Sequence, residues 1–496
     1  MVNASNLKKH LTIIAADDME GRETGTPGQR KAAAYIESQF KAIGLQQAGP
    51  LNSYQQLYPL YKDSLVESVL SIEGEKAVFG TDYITPLNLN ETGAFKSNQL
   101  VMAGYGIDDS AYNDYSRLDV KNKLVIFFLG EPKKEGKYFI TADGRSSQWT
   151  SPGISKKLEA AAARGAAGVL IINPAQDGFN QRMLDNSKKT GVFYPRNEAG
   201  GKLNYAMLSH ATGKKLLGAG FDSLLARAKR ADVLYLPYET VTANIELQFS
   251  KYRTTINASN VIGIVEGTDK KDEYVFLTAH YDHLGIRDGK IYNGADDDGS
   301  GTVAVIQMAE AFAAAKKAGK GPRRTVVFMT VSGEEKGLWG SEYYSENPVF
   351  PLEKTSVDLN TDMIGRVDTE RKSADTLNYI YVVGHDKISS ELPVINESVN
   401  AQFTQLVFDY KFDDPQDPNR IYFRSDHYNF ARKGVPVLFF YDGMLKSDYH
   451  KPTDDIELIN WPLFEKRAQM IFHTAWEMAN RDQLLKRDKP IPAGRR

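Results

Sequence analysis

The residues best suited to chemistry lie between Thr278 and Gly301. An apolar, β-rich run ends in His280, Asp282 follows two residues later, and Asp296 stands sixteen residues after His280 among further aspartates and glycines. Imidazole nitrogen and carboxylate oxygen are the ligands that zinc takes in open, catalytic sites. The stretch therefore predicts a divalent metal site where a strand ends, with a solvated polar turn as the plain structural alternative.

Further carboxylates and a histidine come soon after strand-like runs downstream: Glu334 and Glu335 after Thr325–Val331, Asp362 after Ser356–Asn360, and His450 after Val435–Phe440. Strands that alternate with helices, as they do from Asn257 onward, predict an α/β fold, a mostly parallel mixed sheet covered by helices. Ligands bind just beyond the carboxyl ends of the strands in such sheets. We therefore expect these groups to share one site with His280.

Size and composition exclude several classes of protein. The chain has 496 residues, which is more than one domain usually contains, so we expect two domains. The 61 basic and 63 acidic residues nearly balance, so nucleic acid is not expected as a partner. The absence of cysteine excludes thiol chemistry and thiolate metal sites. No apolar run approaches the roughly 20 residues that span a bilayer, so no membrane span is predicted.

The chain divides into three segments on these patterns, 1–95, 96–250 and 251–496. The first and last segments together make the large α/β domain. The middle segment alternates strand-like runs with an alanine-rich helix over Ser155–Arg164, which predicts a smaller inserted α/β module. The sequence does not indicate an oligomeric state.

The order of the motifs resembles a known family. His-x-Asp, Gly-Ala-Asp-Asp, Gly-Glu-Glu, Asn-x-Asp-Met, Ser-Asp-His and Tyr-His follow one another as in the co-catalytic di-zinc peptidases of the aminopeptidase, glutamate carboxypeptidase and transferrin receptor type. The resemblance implies a zinc exopeptidase fold and a peptide substrate. It further implies a protease-associated (PA) domain at 96–250, because Gly104-Tyr105-Gly106 resembles a motif of that domain. It also implies a periplasmic or secreted protein whose leader is not in this sequence.

The same resemblance implies two Zn²⁺ ions and their ligands. His280, Asp296 and Asp362 would hold one ion, while Asp296, Glu335 and His450 would hold the other, with Asp296 as the bridge. The family also carries a cis peptide bond after its bridging aspartate, which falls here between Asp296 and Asp297. His283 and His427 are not expected to be ligands.

Catalytic and substrate-binding roles follow in the same way. Glu334 would be the general base, and Asp282 would orient His280 through its second ring nitrogen. Tyr449 is either a donor to the oxyanion or a packing residue. The neighbourhood of Arg424, Ser425 and Asp426 would line the substrate pocket.

An aminopeptidase is the leading hypothesis for the activity. A carboxypeptidase of the glutamate-releasing kind is the alternative, because Arg424 and Arg366 offer positive charge for a C-terminal carboxylate. A glutaminyl cyclase is a third possibility, against which the inserted module argues. A non-catalytic binding protein on the same scaffold is the alternative from another class, but the expected ligand and base positions are filled.

Overall fold

The chain folds into two compact units in a computed structural model that describes residues 2–151, 153–195, 203–234, 240–373 and 377–492. The first unit combines Met1–Leu60 with Asn257–Arg496, and the second consists of Tyr61–Ile256. The candidate site residues therefore all belong to the first unit.

The boundary between the first and second segments lies earlier than residue 95, where the sequence pattern placed it. The reason is that Gln55–Ile72 is one continuous 18-residue strand, so no turn marks residue 60. The second boundary likewise falls inside the 26-residue strand Thr240–Val265. A strand that runs from one unit into another leaves no signal in its composition.

The first unit is built on a mixed, mostly parallel sheet, as predicted. In spatial order its central strands are Val407–Asp409, Tyr379–Val383, Val437–Tyr441, Thr355–Thr361, Lys270–His280, Arg324–Val331 and the end of Thr240–Val265. Lys270–His280 pairs in parallel with both of its neighbours. Short strands of the same unit lie at Gln46–Gln47, Gly285–Arg287 and Lys290–Tyr292.

Helices cover both faces of this sheet. The helices of the unit are Ala4–Ile14, Pro27–Ile43, Gly301–Lys317, Trp339–Glu346, Leu392–Phe403, His427–Ala431 and Trp461–Asn480. Alternate residues of a strand point to opposite faces, so Leu277 joins one hydrophobic core and Phe276 the other. Burial on both faces explains why the central strands read as continuous apolar runs.

The second unit is a smaller α/β module whose four central strands are parallel, with antiparallel strands at both sides. Its strands are Glu75–Lys76, Tyr83–Ile84, Gly93–Met102, Leu124–Phe128, Lys133–Lys134, Lys137–Tyr138, Gly168–Ile172 and Tyr205–Leu208. Its helices are Ile154–Ala163, Gln181–Lys188, His210–Leu217 and Phe221–Lys229. Its likeness to a PA domain stays a prediction. Among the described residues of both units, no helix has the length and apolarity needed to cross a bilayer.

Candidate metal centre

The carboxyl ends of three adjacent parallel strands bring the candidate residues together. His280 ends its strand beside Val331, and Glu334 and Glu335 follow Val331 after a short turn. On the other side Thr278 pairs with Asn360, which places Asp362 next to the same edge. The parallel register thus gathers residues that are far apart in the sequence.

Asp297 lies between two histidines at this edge. Its Oδ1 is 3.2 Å from Nε2 of His280, and its Oδ2 is 3.2 Å from Nε2 of His450. Nε2 of His280 is also 3.5 Å from Oδ1 of Asp362, and Nε2 of His450 is 3.1 Å from Oε2 of Glu335. One carboxylate therefore joins two histidine–carboxylate groups.

Asp296, the predicted bridge, faces a different part of the structure. Its Oδ1 accepts a hydrogen bond of 2.8 Å from the Gly365 amide, and its carboxyl is close enough to Asp442 for the charge of that group to raise its pKa, after the larger effect of burial. The cis peptide bond joins Asp297 to Asp298, one residue later than predicted. The three consecutive aspartates lie in an irregular turn, Ala295–Ser300, so spacing alone does not show which one enters the site.

The donor set fits zinc. Nε2 of His280, Oδ2 of Asp297 and Oε1 of Glu335 are buried without a hydrogen-bond partner, although opposite groups lie close by. Two ligands at about 2.0–2.1 Å from a tetrahedral zinc are about 3.3 Å apart, close to the separations of 3.1–3.5 Å described above. Buried polar atoms normally have partners, so these atoms suit metal ligands better than an ordinary hydrogen-bond network.

Two aspartates that the sequence analysis missed hold the loops of the site in place. Asp298 accepts backbone N–H bonds from His280 at 3.1 Å, from Gly301 at 2.8 Å and from Met363 at 3.1 Å. Asp454 accepts the amides of Asp296 and Asp297. Asp298 thus ties two strand ends to the aspartate turn, and Asp454 ties that turn to the loop that follows His450.

The N-terminal segment contributes a buried arginine. Arg22 donates to the carbonyl oxygens of Tyr281, Asn293 and Gly294 at 2.6–2.9 Å, which fixes the two ends of the loop between His280 and the aspartates. Its charge also lies among the site carboxylates, chiefly Asp282 and then Asp454. No spacing rule connects residue 22 with residues 281–294, so this contact could not be predicted from the sequence.

Asp282 contacts both His280 and the loop that carries Glu334. Its Oδ1 lies 3.7 Å from Nδ1 of His280, whereas Nδ1 is 3.1 Å from the carbonyl oxygen of Asp282. The Asp282 carboxylate accepts the backbone amide of Glu334 at 3.2 Å and the hydroxyl of Thr24 at 2.7 Å. Thr24 in turn accepts the amide of Gly333. Asp282 therefore orders the start of the Glu334 loop.

Ser425 and Asp426 were predicted to line the substrate pocket, and both are almost wholly buried. Ser425 lines the cleft, whereas Asp426 does not. The Ser425 hydroxyl donates to Oδ2 of Asp362 at 2.6 Å, because its own oxygen already accepts from Nδ2 of Asn360 at 2.9 Å. Asp426 accepts from the hydroxyl of Ser341. These contacts indicate that Ser425 orients Asp362 and that Asp426 has a structural role.

We expect Ser425→Ala to weaken zinc binding about 10–100-fold, as the loss of a group that orients a ligand does. The KM of the zinc-saturated enzyme should not change, since the serine orients Asp362. Competition with a chelator and steady-state kinetics measure the two quantities. Ser341→Ala is the control, because it removes a buried hydroxyl that bonds Asp426, Asn429 and the Leu338 carbonyl but none of the assigned ligands. A raised KM of Ser425→Ala at unchanged zinc affinity would show instead that Ser425 binds the substrate.

Arg424 and Tyr449 face the cleft as a pair. Nη2 of Arg424 donates to the Tyr449 hydroxyl oxygen at 2.9 Å, so the phenolic proton is directed elsewhere. The Tyr449 ring stacks on the His450 ring with centroids 3.8 Å apart. These contacts favour the oxyanion donor over a packing residue for Tyr449.

The surrounding carboxylates raise the pKa of both His280 and His450. Burial lowers the pKa of His450, but Asp297 and Glu335 outweigh burial and raise it to about 10. Burial likewise lowers the pKa of His280, and Asp362 and Glu334 raise it well above the usual range. A histidine whose pKa is raised on folding stabilises the protein below about pH 6.5, and this contribution is lost as the pH rises through the folded pKa.

Protein stripped of metal is therefore expected to lose thermal stability between about pH 6.5 and about pH 10. Thermal unfolding over this range tests the expectation, with zinc-loaded protein as the control, because the metal replaces the protons. His450→Gln should reduce the loss. A Tm of the stripped protein that stays constant or rises with pH would contradict the assigned charges.

The cleft above the cluster has an acidic floor and an apolar wall. Carboxylates of Asp297, Glu334 and Asp362 reach it, against the single guanidinium of Arg424. Its apolar wall includes Met363, Ile421, Phe439 and Leu445. Arg366 is 8% exposed and is engaged by Asp448 at 2.7 Å, so it does not offer its charge to a substrate.

The carboxylate of Asp297 lies between two histidine–carboxylate groups at the carboxyl edge of a parallel sheet, and its donor atoms suit a divalent metal. Residues 260–475 match the family model described as Peptidase family M28. The resemblance to metallopeptidases that the motifs indicated is thus confirmed over these residues.

Two of the similar curated proteins are named as peptidases. The chain is 26% identical over 216 residues to the "Probable leucine aminopeptidase" of Arthroderma otae, covering 42% of this chain and 55% of that protein. It is 24% identical over 420 residues to the "Glutamate carboxypeptidase 2 homolog" of Caenorhabditis elegans, covering 73% of this chain and 51% of that protein. The chain thus spans about half the length of these curated relatives.

A solved structure shares the fold. The aminopeptidase from Aneurinibacillus sp. strain AM-1 superimposes with a TM-score of 0.50 at 18% identity, covering 100% of this chain and 98% of that one. At this identity the match speaks to the fold alone. It confirms the predicted α/β class, a mixed sheet covered by helices.

Proposed function

We propose that this protein is a zinc-dependent aminopeptidase with two metal ions. The observation that carries the proposal is the Asp297 carboxylate, which places one oxygen 3.2 Å from each of two histidine nitrogens. His280, Asp297 and Asp362 would hold one ion, and Asp297, Glu335 and His450 would hold the second. When bound, zinc lowers the pKa of a coordinated water from about 15.7 towards 7 and polarises the substrate carbonyl.

Glu334 is the group that moves the proton. Its Oε2 lies 3.9 Å from Nε2 of His280, farther than the carboxylates of Asp297 and Asp362. It therefore stands beside the cluster rather than within it. In this position its carboxylate takes a proton from the attacking water and returns it to the leaving amine, which contributes about 10²–10⁴ in rate.

Tyr449 would donate a hydrogen bond to the oxygen of the substrate carbonyl. Arg424 already donates to its oxygen, so the hydroxyl proton is available to the oxygen of the carbonyl under attack. A preorganised donor in a partly buried cleft stabilises the charge that develops there. The Arg424 side chain thereby acts through Tyr449.

The choice of a free N-terminus as the second recognition element rests on the relative named a leucine aminopeptidase. The acidic groups of the cleft do not bear on this choice, because Asp297 and Asp362 would hold the ions and Glu334 would take the proton. Arg366 is engaged by Asp448, which leaves one cation fewer for an α-carboxylate. Arg424, and the alignment over 420 residues with the glutamate carboxypeptidase homolog, favour carboxypeptidase activity as the second candidate. Periplasmic or secreted localisation stays a prediction from the resemblance.

Hydrolysis of one dipeptide series tests the proposal, with the peptides blocked at the N-terminus, at the C-terminus or at neither. We expect zinc-loaded protein to cleave the free and the C-terminally blocked peptides only. Cleavage only when the C-terminus is free would make the protein a carboxypeptidase. No cleavage of any peptide, with zinc bound, would favour a non-catalytic binding protein.

A further inference from the structure

His283 lies in the metal cluster, although the sequence analysis did not expect it to be a ligand. The side chain is fully buried. Its Nδ1 is 2.9 Å from Oε1 of Glu335 and 3.9 Å from Oδ2 of Asp297. The imidazole thus reaches the same two carboxylates that His450 contacts.

The short contact with Glu335 lacks the direction of a hydrogen bond. Both ring nitrogens of His283 are buried without a hydrogen-bond partner, as are Oε1 of Glu335 and Oδ2 of Asp297. Nitrogen and oxygen atoms that lie this close without forming a hydrogen bond direct their lone pairs towards a common space. A buried polar group without a partner is costly, and a cation in that space would satisfy Nδ1 of His283, Oε1 of Glu335 and Oδ2 of Asp297.

The imidazole of His283 packs on a glycine. A Cβ atom at Gly294 would lie 2.4 Å from Cγ of His283, so the imidazole packs directly on the Gly294 backbone. Gly294 itself has a φ of 53°, in the left-handed region that glycine adopts without strain. The lack of a side chain at residue 294 therefore leaves the space that the His283 ring occupies beside the carboxylates.

We propose that His283 is a third histidine of the metal centre and binds, through Nδ1, the ion held by Asp297 and Glu335. This inference rests on the proposed function, since it needs the two-metal centre. His450 approaches the same carboxylates from another side, with its ring centroid 5.9 Å from that of His283. His450 is more exposed, at 37% of its side chain, so the second ion has one sheltered and one accessible imidazole.

Zinc binding by the full chain tests this role. Equilibrium dialysis against a competing chelator, followed by elemental analysis, would compare the unmodified protein with His283→Phe and His283→Asn. We expect two ions in the unmodified protein, and at least a roughly 10–100-fold loss of affinity for one ion in both variants. Asparagine can donate a hydrogen bond to Glu335 but offers no imidazole, so His283→Asn should not restore the zinc affinity. His473→Phe is the control, because His473 stacks on Phe403 away from the cluster.

Two results would overturn the inference. Unchanged affinity in His283→Phe would show that the imidazole is not a ligand, and rescue by His283→Asn would reduce it to a hydrogen-bond donor for Glu335. An unmodified protein that binds no zinc would instead defeat the proposed function.

A measurement on the unmodified protein covers the case in which the variants do not fold. The chain has eight histidines. With ¹⁵N-labelled histidine, NMR should show three rings acquiring a zinc-bound nitrogen on saturation with zinc. Two such rings would contradict the inference.

Discussion

Glu334→Gln is expected to keep both zinc ions and to lower kcat by about 10²–10⁴. The amide has the shape of the carboxylate but cannot accept a proton from water. Metal binding should persist because Glu334 lies farther from His280 than the two carboxylates assigned as ligands. Elemental analysis and steady-state kinetics on the same preparation give the two quantities.

Glu335→Gln is the matched control for this change. The neighbouring glutamate lies 3.1 Å from Nε2 of His450, so its amide variant should lose affinity for one ion as well as activity. If Glu334→Gln retained near-normal turnover, the base would have to be another group. If Glu334→Gln lost a zinc ion, Glu334 would be a ligand instead.

Asp297→Asn is expected to weaken the binding of both ions by more than about 100-fold, beyond the loss seen for groups that only orient ligands. A neutral amide offers one oxygen, whereas the carboxylate presents two oxygens to two histidine groups. The carboxylate also carries a negative charge, which would screen the repulsion between two dications. Zinc titration with a competing chelator measures the loss.

Asp296→Asn separates the two adjacent aspartates. Asp296 accepts from the Gly365 amide through one oxygen, and an asparagine can keep that bond. We therefore expect this variant to bind two ions with nearly unchanged affinity. The reverse outcome, in which Asp296→Asn loses metal and Asp297→Asn keeps it, would return the bridge to the residue that the sequence motif indicated.

The difference between these two aspartates shows what the sequence could predict. The sequence predicts that His280, Glu335, Asp362 and His450 share one edge of the sheet because each follows a strand, and the structure brings them together there. Their role as ligands stays a prediction. The bridging residue lies in a turn with irregular backbone angles, and adjacent side chains of such a turn point in different directions. Composition and spacing place the turn correctly but do not select among three aspartates.

Contacts between distant segments escaped prediction for a different reason. Arg22 and Thr24 reach the site from the N-terminal segment, and their partners depend on how Pro27–Ile43 and the residues before it pack. Ser425 was placed near the site correctly, but the direction of its hydroxyl depends on the bond from Asn360. Hydrogen-bond direction follows from three-dimensional geometry that no motif encodes.

The measurement that most directly tests the account is the anomalous diffraction of zinc in crystals of the loaded protein. Two peaks about 3.5–4 Å apart, one on each side of the Asp297 carboxylate, are the predicted result. A single peak, or two peaks that Asp297 does not join, would contradict the shared-carboxylate centre on which the proposed activity depends.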